Sequence, residues 1–305
     1  MKKLIAAIAL TLMLFLVCAN AKTKKKYLAL GDSITAGYRL TSPEEECYAS
    51  LFSKEYNLEL TNEAVSGDKS GVLLEKLANY NIDDYDVITI CIGANDILRD
   101  FIEKFNELSA LELLDFINTL DTNEEFNKQI DENLVELDHN LEAIMNILKK
   151  GHAQIYMMNV YNPYKNNLYP AIEGIADKYM NKLNTVIEKY AKTVNFINLY
   201  GRFKKNDDRI INSQMLGTTY DPHPNKEGHK FIAKVLGESY YKNNAETVNI
   251  VLAVVFGFIA ILLEAIEAIY TFKKFVVKPI IRETSDEKVE EEIKENDKSS
   301  RFIRS

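Results

Sequence analysis

A chain of 305 residues, 47% of them apolar, is long enough to bury one large core with a segment left over. Its net charge of −8 argues against a nucleic-acid partner, because a phosphate backbone selects the opposite balance. The three cysteines, Cys18, Cys47 and Cys91, follow no metal-ligand spacing, so they point to no metal centre.

Lys2 and Lys3, the apolar stretch from Leu4 to Val17 and the small-residue pattern Ala19-Asn20-Ala21 predict a secretory signal peptide over 1–21. The mature chain then begins at Lys22. Lipid attachment at Cys18 is disfavoured by Val17, which fills a place suited to a small residue. The basic run Lys22-Thr23-Lys24-Lys25-Lys26 reads as a solvated leader, with contact to an anionic surface as the alternative.

Over 22–244 strands and helices alternate. Apolar runs predict strands at Tyr27–Leu30, Leu58–Asn62, Val87–Ile92, Gln154–Asn159 and Val194–Leu199. Helical spacing recurs in Phe126, Ile130, Leu134, Leu137, Leu141, Ile144 and Leu148, and again in Ile172, Ile175, Tyr179, Leu183, Val186 and Tyr190. Such alternation predicts an α/β domain, a parallel sheet with helices on both faces. Cys91 falls in the third strand, so a buried thiol is expected there, ahead of a Cys47–Cys91 pair.

The first strand runs into Gly31-Asp32-Ser33-Ile34-Thr35-Ala36-Gly37. A serine at that turn stands at the carboxyl end of a parallel strand, where open α/β sheets bind ligands and free N–H groups receive negative charge. That suits a nucleophile, and it equally suits a helix N-cap. In Asn62-Glu63-Ala64-Val65-Ser66-Gly67-Asp68, after the second strand, Gly67 offers a backbone N–H. The third strand ends in Ile92-Gly93-Ala94-Asn95-Asp96, where Asn95 carries an amide donor into the same crevice and Asp96 reads as the cap of the next helix. The apolar stretch Ile97–Leu120, with Phe101 and Phe105, reads either as a wall or lid for an acyl chain or as ordinary helix packing.

In Tyr220-Asp221-Pro222-His223-Pro224-Asn225-Lys226-Glu227-Gly228-His229, the prolines stiffen the backbone around His223 and fix where its imidazole points. A serine hydroxyl needs such a base at neutral pH. His139 on an amphipathic helix, His152 after Gly151 and His229 inside the last helix read as surface, capping and packing residues.

Taken together and in this order, the four pieces resemble the SGNH hydrolase superfamily, the GDSL esterases and lipases, over roughly Lys26 to Tyr241. The resemblance implies a three-layer α/β/α fold on a five-stranded, parallel, flavodoxin-like sheet. It implies Ser33 as nucleophile and His223 as general base, with an oxyanion hole made by the backbone of Ser33, the backbone of Gly67 and the side chain of Asn95. No metal or organic cofactor is implied. One departure stands out: the family's acid lies three residues before the histidine, a place held here by Tyr220, whereas Asp221 lies two before it. Either Asp221 reaches the imidazole through a tighter loop, or a backbone carbonyl orients His223 and leaves a dyad.

Beyond Asn244 the composition changes. Ile250 to Leu263 is wholly apolar or glycine and the character continues to Phe272, so 248–272 is long enough for a transmembrane helix. Glu264 and Glu267 keep open a helix lying in the interface or a distorted span. Lys273, Lys274, Lys278 and Arg282 place the carboxyl end in the cytoplasm, and 273–305 reads as a disordered acidic tail. The expectation is a membrane-anchored, extracytoplasmic serine esterase or lipase acting on acyl lipid or O-acetylated glycan. An O-acyltransferase on envelope glycans is the nearer alternative. A noncatalytic surface-binding module is the remoter one, disfavoured because Ser33, Asn95 and His223 are all present.

Overall fold

A computed structural model describes residues 24–165, 170–206, 208–212, 221–277 and 285–296. The signal-peptide segment 1–21 and Tyr220 lie outside the described residues. The chain divides into two units, one over 23–242 and a second that includes 243–305.

The larger unit is built on five parallel strands: β1 (Lys26–Gly31), β2 (Glu59–Asn62), β3 (Val87–Cys91), β4 (Gln154–Met158) and β5 (Asn195–Ile197). Their order is β2-β1-β3-β4-β5, the flavodoxin-like arrangement. In register, Tyr27 pairs with Leu60 on one side and Val87 on the other. The helices named below are α1 (Ser33–Ala36), α2 (Tyr48–Glu55), α3 (Ser70–Lys76), α4 (Ala94–Glu107), α5 (Ala110–Thr119), α6 (Glu124–Leu148), α7 (Pro170–Glu188), α8 (Leu199–Lys204) and α9 (Lys226–Phe272).

The inner strands β1, β3 and β4 read as nearly unbroken apolar runs because helices cover both faces. Side chains alternate across the pleat, so each strand feeds two cores. Leu28, Leu30, Ile88, Ile90 and Met157 pack with Leu137 and Leu141 of α6 and Leu183 of α7. Tyr27, Ala29, Cys91, Tyr156 and Met158 pack on the other side with Phe52 of α2 and with Ile232 and Leu236 of α9. Each fully buried leucine, isoleucine, methionine or phenylalanine among them contributes about 1.5–3 kcal/mol of transfer free energy. Cys47 and Cys91 are buried free thiols. The reversal of strand order at β1 leaves a crevice beyond the carboxyl ends of β1 and β3, and the turns into α1 and α4 border it.

In the second unit, residues 243–272 are helical and end in a π-helical turn, Lys273–Val277. Among the described residues, Lys226–Phe275 is the one helix long and apolar enough to cross a membrane, with a mean hydropathy of 2.5 over its most apolar stretch. Residues 285–296 form an exposed helix, where the sequence reading expected irregular chain. Glutamate and lysine are good helix formers, and Glu290 and Lys294 stand one turn apart with 3.8 Å between their charged atoms.

Candidate active site

The turn that carries Ser33 begins with a close approach. A Cβ on Gly31 would lie 2.5 Å from the carbonyl oxygen of Cys91 and 2.3 Å from Thr35 Oγ1, so β1 meets β3 here only as glycine. Asp32 then caps α1, its Oδ1 accepting the N–H of Ile34 at 3.0 Å. Ser33 is the first residue of α1, a position whose N–H has no acceptor within the helix. Hydroxyl and N–H are thus presented side by side. Asp32 is 1% exposed, and burial pushes its carboxyl up to about 7, with the charges of Asp96 and Asp68 adding to the rise.

The imidazole comes from the other end of the unit. His223 Nε2 lies 2.9 Å from Ser33 Oγ, and His223 Nδ1 lies 2.5 Å from Asp221 Oδ1. The shorter spacing works because Asp221 folds back over Pro222: the same Oδ1 accepts the main-chain N–H of His223 at 3.2 Å, an Asx turn. The second oxygen, Oδ2, accepts from Asn212 Nδ2 at 2.9 Å and pairs with Arg39 Nε at 3.3 Å. The loop is held from outside as well. Tyr161 donates its hydroxyl to the Pro222 carbonyl at 2.7 Å, and the Asn212 N–H donates to the His223 carbonyl at 3.0 Å. Tyr38 lays its ring 4.7 Å from the imidazole.

Asn95 is the second residue of α4, and one of its amide protons goes to the Asp68 carbonyl at 3.0 Å. That bond ties the start of α4 to the loop after β2, which carries Gly67. Ser33, Asn95 and His223 line one cleft with Asp32, Leu98 and Pro222; Gly67 lies outside that lining. Gly67 has φ +88, with no atom within 4 Å of where a side chain would start. Asp96 is not the cap of its own helix. Gly93 holds the capping place, and Asp96 reaches instead to α3, where its carboxylate accepts the Ser70 N–H at 3.0 Å and the Ser70 hydroxyl at 2.5 Å.

The other histidines stay away from Ser33. His139 is exposed, His152 is exposed with Nε2 3.6 Å from Asp86, and His229 is wholly buried. His229 Nδ1 accepts the Tyr48 N–H at 3.2 Å, and burial pushes its pKa down to about 4. Sequence reasoning missed Tyr38, Arg39, Tyr161 and Asn212. Only Tyr38 and Arg39, directly after the Gly37 turn, carried any local mark in the sequence. Among the described residues no cluster of histidine, cysteine, aspartate and glutamate is arranged to hold a metal ion.

Comparison with known proteins places this geometry in context. The model of the GDSL-like Lipase/Acylhydrolase family matches residues 29–231. The chain is 24% identical over 237 residues to the uncharacterized protein YpmR of Bacillus subtilis (strain 168), covering 70% of this chain and 82% of that one. It is 36% identical over 97 residues to an arylesterase of Vibrio mimicus, covering 30% of this chain and 47% of that one. Its fold is similar to the crystal structure of an extracellular lipase from Streptomyces rimosus, with a TM-score of 0.53, 19% identity and coverage of 70% of this chain and 99% of that one.

Proposed function

The chain belongs to the GDSL-like lipase/acylhydrolase family, and from that membership we propose a membrane-anchored, extracytoplasmic serine hydrolase of carboxylic esters, acting on acyl lipid or O-acetylated glycan. One observation carries the proposal: an unbroken hydrogen-bonded path runs from Asp221 through His223 to Ser33 Oγ. Ser33 attacks the ester carbonyl while His223 Nε2 takes its proton. Asp221 holds the ring with its proton on Nδ1 and balances the imidazolium that forms. The carbonyl oxygen, now charged, receives the Ser33 N–H and the second amide proton of Asn95, with the Gly67 N–H as third donor. The C–O bond to the alcohol then breaks and His223 returns the proton to it. Water repeats the sequence to free the acid and regenerate the Ser33 hydroxyl.

The test is labelling of the full-length protein with a fluorophosphonate probe. Wild type labels and Ser33→Ala does not; a folded wild type that stays unlabelled overturns the proposal.

The apolar helix supports the anchor, and Lys273 and Lys274 directly after it support a cytoplasmic carboxyl end. Protease added to intact cells should then remove the hydrolase unit and spare a carboxyl-terminal tag. Loss of the tag would overturn the orientation.

A further inference from the structure

A second cavity lies beside the catalytic cleft, and the two share Leu98 and Pro222 as walls. Its remaining faces include Phe101 of α4, Ile117, which lies on α5, and Ala176 and Tyr179 of α7. The far end is rigid: Tyr179 donates its hydroxyl to Asn127 Oδ1 at 2.8 Å, and the Phe101 ring stands edge-on to Tyr179 at 4.9 Å. The cavity measures about 50 Å³, which at the 10–15 Å³ one water needs is space for roughly four waters or an alkyl chain of about four to six carbons. Its lining is almost wholly apolar, and such a space takes up hydrocarbon in preference to water.

The walls also give a direction. Leu98 stands three residues after Asn95 on α4, on the same helix face. A carbonyl whose oxygen faces Asn95 therefore has Leu98 beside the carbon chain that follows. The leaving-group flank differs. There Tyr38, next to His223 and 43% exposed, opens toward solvent.

We propose that this cavity is the acyl subsite, taking a straight acyl chain of about four to six carbons through the gap between Leu98 and Pro222 while the alcohol stays in solvent. The proposal rests on the serine-esterase reading above and, of the acyl and acetyl esters named there, selects acyl esters with a short chain over acetyl esters.

Full-length protein in a non-ester detergent, assayed on p-nitrophenyl esters from acetate to decanoate, tests it. Each methylene entering the cavity raises kcat/KM about fourfold at most, which caps the gain of hexanoate over acetate at about 250-fold; partial burial of the four methylenes should still give about tenfold or more, and the gain should stop soon after. Ala176→Phe fills the cavity and should lower the hexanoate-to-acetate ratio at least about tenfold. Ile117→Ala enlarges it and should move the preferred length up by about two carbons. Circular dichroism melts establish that each variant is folded; should Ala176→Phe not fold, Ile117→Ala decides alone. Acetate cleaved with no preference for hexanoate, a ratio unmoved by the substitutions, or a preference that follows the alcohol chain in a series of alkyl acetates overturns the subsite. A wild type that cleaves no ester and takes no fluorophosphonate overturns the esterase reading instead.

Discussion

Asp221 grips His223 twice across the proline between them, one carboxylate oxygen accepting the main-chain N–H at 3.2 Å and meeting the ring Nδ1 at 2.5 Å. The second grip is what distinguishes a triad from a dyad. Amidating the acid replaces an acceptor with a group that also donates, so the ring loses the tautomer that leaves Nε2 free to accept the serine proton. Asp221→Asn is expected to lower kcat by about 10⁴ with little change in KM. Steady-state kinetics on the purified variant measures this, and a loss under about tenfold would mean that something other than Asp221 orients His223.

Asn95 has one amide proton committed to the Asp68 carbonyl, which leaves the other to face the cleft. Asn95→Ala should therefore cost about 10²–10³ in kcat while the thermal midpoint stays within a few degrees, because the lost bond is a single loop contact. Kinetics and a melt on the same sample separate the two effects.

Asp32 predicts an unusual pH dependence of stability. Burial raises its carboxyl from 3.8 to about 7, so between those values the folded state holds a proton that the unfolded state has lost. The favourable term is complete below pH 3.8 and disappears as pH rises through 7. Asp32→Asn keeps an oxygen to cap Ile34 and never ionises. It should be more stable than wild type by up to about 4 kcal/mol at pH 8, and by almost nothing near pH 4. His229, depressed to about 4, acts in the opposite sense between pH 4 and 6.5, but it is common to both proteins and cancels in the difference. Denaturant titrations at the two pH values give the comparison.

Gly31→Ala brings a methyl group within 2.5 Å of the Cys91 carbonyl, a backbone atom that cannot swing aside. The expected result is a loss of about 1–3 kcal/mol or more, together with lower activity as β1 and the Ser33 turn are pushed from β3. A melt and a fluorophosphonate labelling rate report both.

The five strands, their parallel arrangement and the long stripe of α6 were all legible in the residues, because burial on both sheet faces and on one helix face leaves an unmistakable pattern of apolar spacing. Ser33 and Asn95 stood out as residues just past strand ends and His223 as an imidazole between two prolines, and the structure brings the three to one cleft. Asp96 was misread, since a carboxylate near a helix start looks local while its partner, Ser70, lies 26 residues back. The tail helix at 285–296 was missed because a high charge density carries no apolar period to read.

Whether Asp221 reaches His223 was undecidable from spacing, because an Asx turn over Pro222, a donor from Asn212 and a cation from Arg39 all act on it at once, and Arg39 comes from distant chain. The small cavity beside the cleft belongs to the same category. Its walls come from α4, α5, α7 and the His223 loop, so its existence depends on how four segments pack. Local chemistry names candidate reacting groups; distances between groups far apart in the chain exist only once the two cores have closed around the sheet.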